Sequence, residues 1–371
     1  MDLKNAKKVH FVGIGGIGIS AIARMMLEEG KEVSGSDGSS SVITQSLAEL
    51  GIKIYQGHQA DNLSAETDLV IYTIAIPGDN PELAAARERG IPMLTYPETL
   101  GLISADKRTI AIAGTHGKTT TTAMLAQIAV EAKRDPTVIV GSILKGQHSN
   151  FIAGASDLLI VEACEYRRSF LNINPTVVVI TNIDNDHLDY YKDFADIQEA
   201  FKELVRKIPE HGALICNVND PALEPIVKAA HCQVIDYVAA ERAVLQVPGE
   251  HNQQNAQAAL AAAQFLGIEK QEALAALGRF AGTWRRFEYK GKTSVGALVY
   301  TDYGHHPTEV RAALAAAREV VAKTGKGRVL VAFQPHLYSR TKLLFDDFAA
   351  SFSDVDKVWL ADIYGAREEV D

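Results

Sequence analysis

Two glycine-rich segments, each set between a short apolar run and a helical pattern, limit the possible folds more than any other feature of the sequence. The first occupies residues 13–18 and follows residues 9–12, which are apolar except for His10 and are predicted to form a buried strand. The second occupies residues 114–119 and follows the apolar residues 109–113. A buried strand, a glycine turn and a helix in this order begin a β-α-β unit on a parallel sheet. The chain is therefore predicted to contain two separate α/β units of this kind.

The alternation of strand and helix continues to the end of the chain. A length of 371 residues suffices for two or three domains. The pattern restarts after Arg286, so we predict the α/β class with three consecutive domains. These are a Rossmann-like domain at 1–106, a P-loop-type domain at 107–286 and a second Rossmann-like domain at 287–371. The other predicted strands and helices lie at 68–72, 81–89, 158–161, 177–180, 213–216, 255–266, 296–301, 308–324, 328–333, 343–352 and 358–361.

Composition and charge exclude several classes of function. Lys and Arg number 37 against 46 Asp and Glu, a net charge of −9, so we expect no nucleic-acid partner. No apolar run approaches the roughly 20 residues that cross a bilayer, so we expect no membrane partner. The three cysteines are too few for a disulfide framework. We expect a cytoplasmic protein that is a monomer or a homodimer.

The first glycine segment has the spacing of a dinucleotide-binding turn. Gly13, Gly15 and Gly18 form a GxGxxG pattern, and Asp37 follows about 20 residues later. Glycines let backbone amides approach a diphosphate at the start of a helix. An NAD-dependent dehydrogenase satisfies this pattern, and so does a protein that binds the diphosphate of a UDP-sugar. A tight strand-to-helix turn without a ligand is the structural alternative.

The second glycine segment indicates a nucleoside triphosphate. Gly117, Lys118 and Thr119 supply bare amides, an ammonium for the β- and γ-phosphates and a hydroxyl for Mg²⁺. The common GxxxxGK[ST] spacing is not met, because Ile112 stands where the first glycine belongs. A simple N-terminal helix cap is the alternative interpretation.

Polar side chains follow the later strands, at the edge where ligands bind in open α/β sheets. Glu162 and Glu165 follow one strand, and residues 184–187 follow another. One or two such carboxylates would suffice for Mg²⁺. Asn252 and Asn255 share a helix face, from which both can reach a base, although capping explains Asn252 equally well.

Further charged clusters lie in the last third of the chain and beside Glu165. Arg285 and Arg286 offer planar guanidinium groups that suit phosphate or carboxylate. His305 and His306 are adjacent, but no other ligands stand at a matching spacing, so we predict no metal site there. Spacing alone assigns no role to Glu165, Arg167 and Arg168.

In combination, these segments resemble the Mur ligases of peptidoglycan synthesis. The resemblance runs from about Val9 to the end of the chain. It depends on the combination of motifs, because the first glycine segment alone is not specific. The family has a short Gly-x-x-Gly-Lys-Thr loop, which accounts for the missing glycine at Ile112. The matching segments are residues 10–18, 34–37, 113–120, 181–187, 248–252 and 302–309.

The resemblance implies a set of site residues. The implied UDP-sugar site comprises Gly13, Gly15, Gly16, Gly18 and Asp37. The implied ATP site comprises Gly114, Thr115, His116, Gly117, Lys118, Thr119, Thr120, Asn252, Asn255 and Asp302. The implied metal site comprises Thr119, Glu162 and His187. The implied catalytic residues are Lys118, His187 and Arg286, and the implied residues on the amino-acid side are His305, His336 and Arg340.

The resemblance also implies a reaction. It is that of an ATP- and Mg²⁺-dependent ligase that joins L-alanine to the lactyl carboxylate of UDP-N-acetylmuramate through an acyl phosphate. A murein tripeptide ligase of cell-wall recycling would share every ATP residue and differ in the amine. A catalytically silent UDP-sugar-binding homologue is the alternative without an enzymatic reaction.

Two departures from the family pattern affect the domains. Only residues 237–247 separate Asp236 from Pro248, where the family has several more strands. The chain stops at Asp371, where the family's third domain continues. We therefore expect a shortened central domain and an incomplete third domain.

Overall fold

Residues 3–365 and 368 are described by the structure, which is a computed structural model. No helix in this part of the chain is both long and apolar enough to cross a membrane. We call the predicted domains 1–106, 107–286 and 287–371 the N-terminal, the central and the C-terminal unit. Their boundaries stay predictions. The end of the C-terminal unit, at 366–367 and 369–371, lies outside the described residues.

The N-terminal unit is a parallel five-stranded sheet in the order β3-β2-β1-β4-β5. Strand β1 has β2 on one side and β4 on the other, which places the switch point of the sheet at its carboxyl end, where open α/β sheets bind ligands. The first glycine segment lies at this end. The elements are β1 (Lys8–Val12), α1 (Ile17–Glu28), β2 (Glu32–Asp37), α2 (Val42–Glu49), β3 (Lys53–Gln56), β4 (Leu69–Tyr72), α3 (Pro81–Glu88), β5 (Met93–Thr95) and α4 (Tyr96–Ala105).

The central unit is a seven-stranded sheet in the order β12-β11-β10-β6-β9-β7-β8, in which only β8 is antiparallel. The second glycine segment joins β6 to α5. The first part of this unit contains β6 (Arg108–Ala113), α5 (Lys118–Glu131), β7 (Thr137–Leu144), β8 (Ser149–Ile152), β9 (Leu158–Glu162) and β10 (Val177–Ile180). The second part contains α6 (Phe194–Val205), β11 (Ala213–Cys216), α7 (Glu224–Val227), β12 (Gln233–Asp236), α8 (Glu250–Phe265) and α9 (Lys270–Gly278).

The connection between β12 and α8 is short. Residues 237–249 are all described, and they contain one 3-10 turn at Tyr237–Ala239 and no strand. This segment is therefore a direct loop from the edge strand to α8, and the shortening relative to the family stays a prediction. The aromatic ring of Tyr237 is buried, and its hydroxyl donates to the carbonyl of Thr181 at 2.7 Å. This contact anchors the loop at the end of β10.

The C-terminal unit has an antiparallel hairpin and a separate parallel strand pair. Its elements are β13 (Glu288–Lys292), β14 (Leu298–Thr301), α10 (Pro307–Thr324), β15 (Leu330–Phe333), α11 (Tyr338–Leu343), α12 (Phe345–Ala350) and β16 (Lys357–Leu360). The single helix predicted at 343–352 is wrong. Two short helices occupy 338–350 instead, because Leu344 has φ −110° and ψ 26° and breaks the helical backbone between them.

The N-terminal and central units share one apolar core, whereas the C-terminal unit has a core of its own. Leu100 of α4 and Phe170 of the central unit belong to the same cluster of buried side chains. Asn150 Nδ2 of β8 also donates to Ser20 Oγ of α1 at 2.9 Å. Burial of apolar surface from both units stabilises their mutual position. The separate core of the C-terminal unit is formed by Val310, Leu314, Val329 and Phe348.

Candidate active site

The second glycine segment, residues 114–119, is called the central loop here, and close contacts require glycine at two of its positions. Gly114 has φ +120°, and a Cβ atom there would lie 2.1 Å from Thr181 Oγ1. Gly117 has φ +84°, and a Cβ atom there would lie 2.3 Å from Asn255 Oδ1. A side chain at either position would therefore displace the loop or its neighbours.

Lys118 is the first residue of α5, and its ammonium is directed back into the loop. Nζ donates to the carbonyl oxygens of Gly114 and Thr115 at 2.6 and 2.9 Å, and it lies 2.9 Å from Glu165 Oε2. Burial alone would lower the pKa of Lys118, but the neighbouring carboxylate raises it above its ordinary value. The ammonium is therefore held in its charged form at a place where a phosphate could replace Glu165 as its partner.

The predicted metal residues surround the same loop. Thr119 Oγ1 donates to Glu162 Oε1 at 3.0 Å, and Glu162 Oε2 accepts from the amide of Gly141 at 2.8 Å. Glu162 was predicted to follow a strand, but it is the last residue of β9. His187 Nε2 lies 3.6 Å from Glu165 Oε1 and joins the group through that residue. A hydroxyl and a carboxylate are oxygen donors of the kind that Mg²⁺ prefers, so Thr119 and Glu162 fit this ion.

Glu165 is a site residue to which the sequence assigned no role. Its side chain is buried, with the whole residue 2% exposed. Burial would raise the pKa of Glu165, but Lys118 and His187 lower it below the ordinary value. Tyr191 Oη donates to its carbonyl oxygen at 2.6 Å. The signal available in the sequence was its position three residues after Glu162, at the end of the same strand.

A cleft of about 310 Å³ opens beside the loop, between α8, residues 280–287 and the start of α10. This volume is in the range of small-molecule sites. Of the predicted ATP residues, Gly114, Thr115 and Lys118 are not among those that line it. The predicted site residues that line the cleft are His116, Gly117, Thr119, Thr120, Asn252, Asn255, Arg286 and Asp302.

The predicted nucleoside contacts have protein partners in this structure. Asn252 Nδ2 donates to the carbonyl oxygen of Pro248 at 2.6 Å. The N-cap of α8 is Gly249, without a side-chain cap, so the capping alternative for Asn252 is wrong. Asn255 Oδ1 accepts from the hydroxyl of Thr121 at 3.2 Å. The two Asp302 oxygens accept from the amides of Phe287 and Gly304 at 2.7 and 2.6 Å. A purine would therefore contact the other polar atom of each asparagine side chain, which is Oδ1 of Asn252 and Nδ2 of Asn255.

His116 connects the central loop to the C-terminal unit. Its Nε2 lies 3.1 Å from Asp184 Oδ2, and its Nδ1 lies 3.1 Å from Glu309 Oε1. Burial alone would lower the pKa of His116, but hydrogen bonds to the two carboxylates raise it to about 9. His116 is therefore an imidazolium between one carboxylate of the central unit and one of α10. We refer to His116, Asp184 and Glu309 as the His116 bridge.

One group of histidine and acid side chains in the described residues, His116, Asp184 and His306, has possible ligand atoms within 4.8 Å of one another. His306 Nδ1 accepts from the amide of Thr308 at 3.3 Å, and its Nε2 lies 3.0 Å from the carbonyl oxygen of Asn185. Both nitrogens of each imidazole are thus already engaged. The group is built as a hydrogen-bonded contact between two units.

The three residues predicted on the amino-acid side lie together at the junction of the C-terminal and central units. Arg340 Nη2 and Nε lie 3.0 and 3.2 Å from Asp186 Oδ1. Both side chains are buried, at 9 and 10% exposure. His336 Nδ1 lies 3.4 Å from Arg340 Nη1, and the His336 and His305 rings are 6.0 Å apart. Arg340 is therefore not a free cation, because it is paired with an acid of the central unit.

The glycine loop of the N-terminal unit is occupied by its own chain. The amide of Gly13 donates to the carbonyl of Ser36 at 2.9 Å, and the amide of Gly15 donates to Asp37 Oδ2 at 2.9 Å. A Cβ atom at Gly18 would lie 2.7 Å from the ring of Tyr96, so packing explains this glycine without a ligand. A diphosphate would instead meet the first amides of α1, which have no partner within the helix.

Three family models match the chain in series. The Mur ligase family, catalytic domain, matches residues 8–108; the Mur ligase middle domain matches 112–246; and the Mur ligase, glutamate ligase domain, matches 285–370. The chain belongs to the Mur ligase family. The predicted family and the predicted class of three α/β domains are confirmed, and the dehydrogenase interpretation of the first glycine loop loses its basis.

Similar proteins cover nearly the whole chain. The UDP-N-acetylmuramate–L-alanine ligase of Clostridium acetobutylicum is 45% identical over 399 residues, which cover 99% of this chain and 86% of that protein. The crystal structure of the UDP-N-acetylmuramate-alanine ligase MurC of Thermotoga maritima has a TM-score of 0.81 at 31% identity, covering 96% of this chain and 85% of that one. A murein peptide ligase of Psychrobacter arcticus has a TM-score of 0.77 at 25% identity, covering 95% and 84%.

Proposed function

We propose that this protein is an ATP-dependent ligase that joins L-alanine to the lactyl carboxylate of UDP-N-acetylmuramate in peptidoglycan precursor synthesis. The observation that carries the proposal is the central loop, where the charged ammonium of Lys118 is paired with Glu165 and the adjacent Thr119 is hydrogen-bonded to Glu162. The relatives from Clostridium acetobutylicum and Thermotoga maritima, which bear the name of this activity, support the choice of substrates.

The first chemical step forms an acyl phosphate. An oxygen of the lactyl carboxylate attacks the γ-phosphorus of ATP, the bond to the β-phosphate oxygen breaks, and ADP leaves. Such a transfer requires positioning and neutralisation of charge rather than a protein nucleophile. Lys118 would supply one cation. Arg286, whose Nη2 lies 3.4 Å from Thr119 Oγ1, would supply a second.

Thr119 and Glu162 would hold a magnesium ion, with His187 at the edge of the site. An ion held by these residues would supply positive charge that neutralises the phosphates of the nucleotide. Glu165 would keep Lys118 and His187 in place before the nucleotide binds, because its carboxylate lies next to both.

The second step forms the amide. The amine of L-alanine attacks the acyl carbon, the carbon–oxygen bond to phosphate breaks, and the nitrogen loses a proton. Arg340 and His336 would lie near the amino acid. Because Arg340 is paired with Asp186, the carboxylate of the amino acid would have to share or replace that partner. Closure of the C-terminal unit would keep water away from the acyl phosphate.

A murein tripeptide ligase is the second candidate. The structural similarity to the murein peptide ligase of Psychrobacter arcticus favours it. The two candidates share the ATP residues and differ only in the amine that they accept. A cytoplasmic location and a monomer or homodimer stay predictions for either one.

The test is the release of ADP by the purified protein with UDP-N-acetylmuramate, ATP and Mg²⁺. We expect release with L-alanine and a product whose mass is increased by one alanyl residue. Release with the murein tripeptide alone would assign the recycling activity. Binding of UDP-N-acetylmuramate without ADP release in the presence of either amine would identify a catalytically silent homologue.

A further inference from the structure

Two consecutive arginines beside the active site share an unusual backbone conformation. Arg167 has φ +52° and ψ 32°, and Arg168 has φ +54° and ψ 25°. Both lie in the left-handed region, which long side chains rarely adopt. Such conformations persist where the surroundings enforce them, and they are concentrated at functional sites.

The second arginine is committed to the central unit. Arg168 Nη2 lies 2.6 Å from Asp196 Oδ1, and Nη1 donates to Glu203. Both acids belong to α6. The guanidinium also lies over the ring of Tyr191, with Cζ 5.9 Å from the ring centroid. The charge of Arg168 is therefore neutralised, and its role is to fix this segment to α6.

The first arginine has no carboxylate within ion-pair distance in residues 3–365 or at 368. Arg167 is exposed, and its Cζ lies 5.5 Å from the ring centroid of Tyr166. The Tyr166 ring in turn lies 4.8 Å from the ring of His187. On the other side, Arg167 Nη1 lies 3.5 Å from the carbonyl oxygen of Ile74, in the N-terminal unit. This guanidinium thus lies between the N-terminal unit and the predicted metal residues.

The segment that carries Ile74 packs directly on the first glycine loop. A Cβ atom at Gly13 would lie 2.4 Å from Thr73 Cγ2, the residue before Ile74. The amides of Gly13 and Gly15 already have partners in the chain. The Arg167 guanidinium therefore contacts the segment that packs on the first loop, and it offers there a positive charge to a nucleotide-sugar that reaches towards the central loop.

We propose that Arg167 is a substrate-binding residue that pairs with an oxyanion of the UDP-sugar, either its diphosphate or its carboxylate. This inference rests on the proposed function for the identity of the ligand. A guanidinium binds both groups through parallel N–H donors. The face of Tyr166 orients it through a cation–π contact. The left-handed conformation of both residues separates the two side chains: Arg168 is bound to α6, and Arg167 remains at the boundary with the N-terminal unit.

The test compares Arg167→Gln with the matched control Arg168→Gln. We expect Arg167→Gln to raise the KM for UDP-N-acetylmuramate about 10- to 100-fold, the loss of a charge-assisted hydrogen bond. The KM for ATP should stay within about twofold, because Arg167 lies outside the ATP cleft. Arg168→Gln should lower the thermal unfolding midpoint, because it leaves Asp196 and Glu203 without their cation, and it should spare the KM for UDP-N-acetylmuramate.

Direct binding by calorimetry distinguishes the two oxyanions and keeps the inference separate from the proposed function. A loss of affinity for both UDP-N-acetylmuramate and UDP-N-acetylglucosamine in Arg167→Gln would assign the diphosphate. A loss for UDP-N-acetylmuramate alone would assign the carboxylate, which the other sugar lacks. Unchanged affinity for both would overturn the inference. If the unaltered protein releases no ADP but Arg167→Gln still weakens binding, the proposed function fails and the inference stands.

Discussion

Charges in the candidate site are paired with one another before any ligand binds. Lys118 is bonded to Glu165, and His116 lies between Asp184 and Glu309. Such pairs hold the charged form of each group in place while it is partly removed from water. A phosphate that binds here exchanges one anionic partner for another and does not have to charge a neutral group.

Removal of the Lys118 ammonium should impair the proposed ATP site and leave the proposed UDP-sugar site intact. We expect Lys118→Ala to reduce ADP release by at least about 100-fold, because it removes a cation from the transferred phosphoryl group. Affinity for UDP-N-acetylmuramate should be unchanged, because its predicted glycine loop lies in the N-terminal unit and Lys118 is not one of its proposed contacts. Measurements of ADP release and calorimetric titration check both parts, and loss of both together would contradict the division. Since Glu165 loses its nearest cation, the double variant Lys118→Ala/Glu165→Gln is the control for folding.

The His116 bridge makes stability depend on pH on the alkaline side. The pKa of His116 is about 9 in the folded protein, above its ordinary value of 6.5. Its contribution is therefore fully present below about pH 6.5 and is lost as the pH rises through about 9. We expect the unfolding midpoint of the unaltered protein to exceed that of His116→Gln by several degrees at pH 6.5. The difference should disappear by pH 10, and a difference that is constant with pH would contradict the assignment.

Single residues were predictable where a motif is local and not where a partner is distant. Lys118 and Thr119 follow from the loop motif, because backbone amides, an ammonium and a hydroxyl must be adjacent to hold a phosphate. The contact of His116 with Glu309 joins residues 193 positions apart. No spacing rule reports such a pair, since the fold alone brings the two together.

At the scale of strands and helices, most of the buried parallel strands were predicted well and the edges were not. The observed strand at Val177–Ile180 is the one predicted, because a short apolar run between turns is typical of a central strand. The buried strand Thr137–Leu144, next to the sheet edge, and the edge strand Ser149–Ile152 were missed, as was Glu288–Lys292. The last of these is mostly exposed and has no apolar run, so its strand conformation depends on pairing with Leu298–Thr301.

The turn between β1 and α1 can be tested with a single methyl group. We expect Gly18→Ala to destabilise the protein by about 1–3 kcal/mol, because its Cβ atom would overlap the ring of Tyr96. The affinity for UDP-N-acetylmuramate should fall as well, since Tyr96 or the start of α1 must move. Thermal unfolding and calorimetry measure the two effects. Gly78→Ala is the control, because a Cβ atom there has no neighbour within 4 Å, and an equal effect at both positions would refute the explanation.

At the scale of the whole molecule, the two junctions between units have different chemistry. The N-terminal and central units share an apolar core. The central and C-terminal units meet through the His116 bridge and through the pair of Arg340 with Asp186. Ionic contacts depend on pH and on ligands more than apolar packing does. The C-terminal unit is therefore the part that we expect to move when substrates bind.

Loss of the buried acid at this junction should release the C-terminal unit. Asp186→Asn would leave Arg340 charged and buried without its partner, at a cost of about 3–5 kcal/mol to the observed contact between the C-terminal and central units. We expect faster limited proteolysis in residues 281–287 and unchanged affinity for UDP-N-acetylmuramate. Glu210→Gln, which changes an exposed acid of the central unit, is the control. Proteolysis at the same rate in Asp186→Asn and in the control would show that this pair does not hold the unit.

The position of His116 has a thermodynamic consequence. His116 lies two residues before Lys118, the first residue of α5, and its Nδ1 lies 3.1 Å from Glu309 Oε1 of α10. Nucleotide binding and docking of the C-terminal unit are therefore linked by one coupling free energy, which acts equally in both directions. A small molecule that stabilises the docked position of α10, without entering the nucleotide cleft, should raise the affinity for the nucleotide. The nucleotide should raise the affinity for that molecule by the same factor.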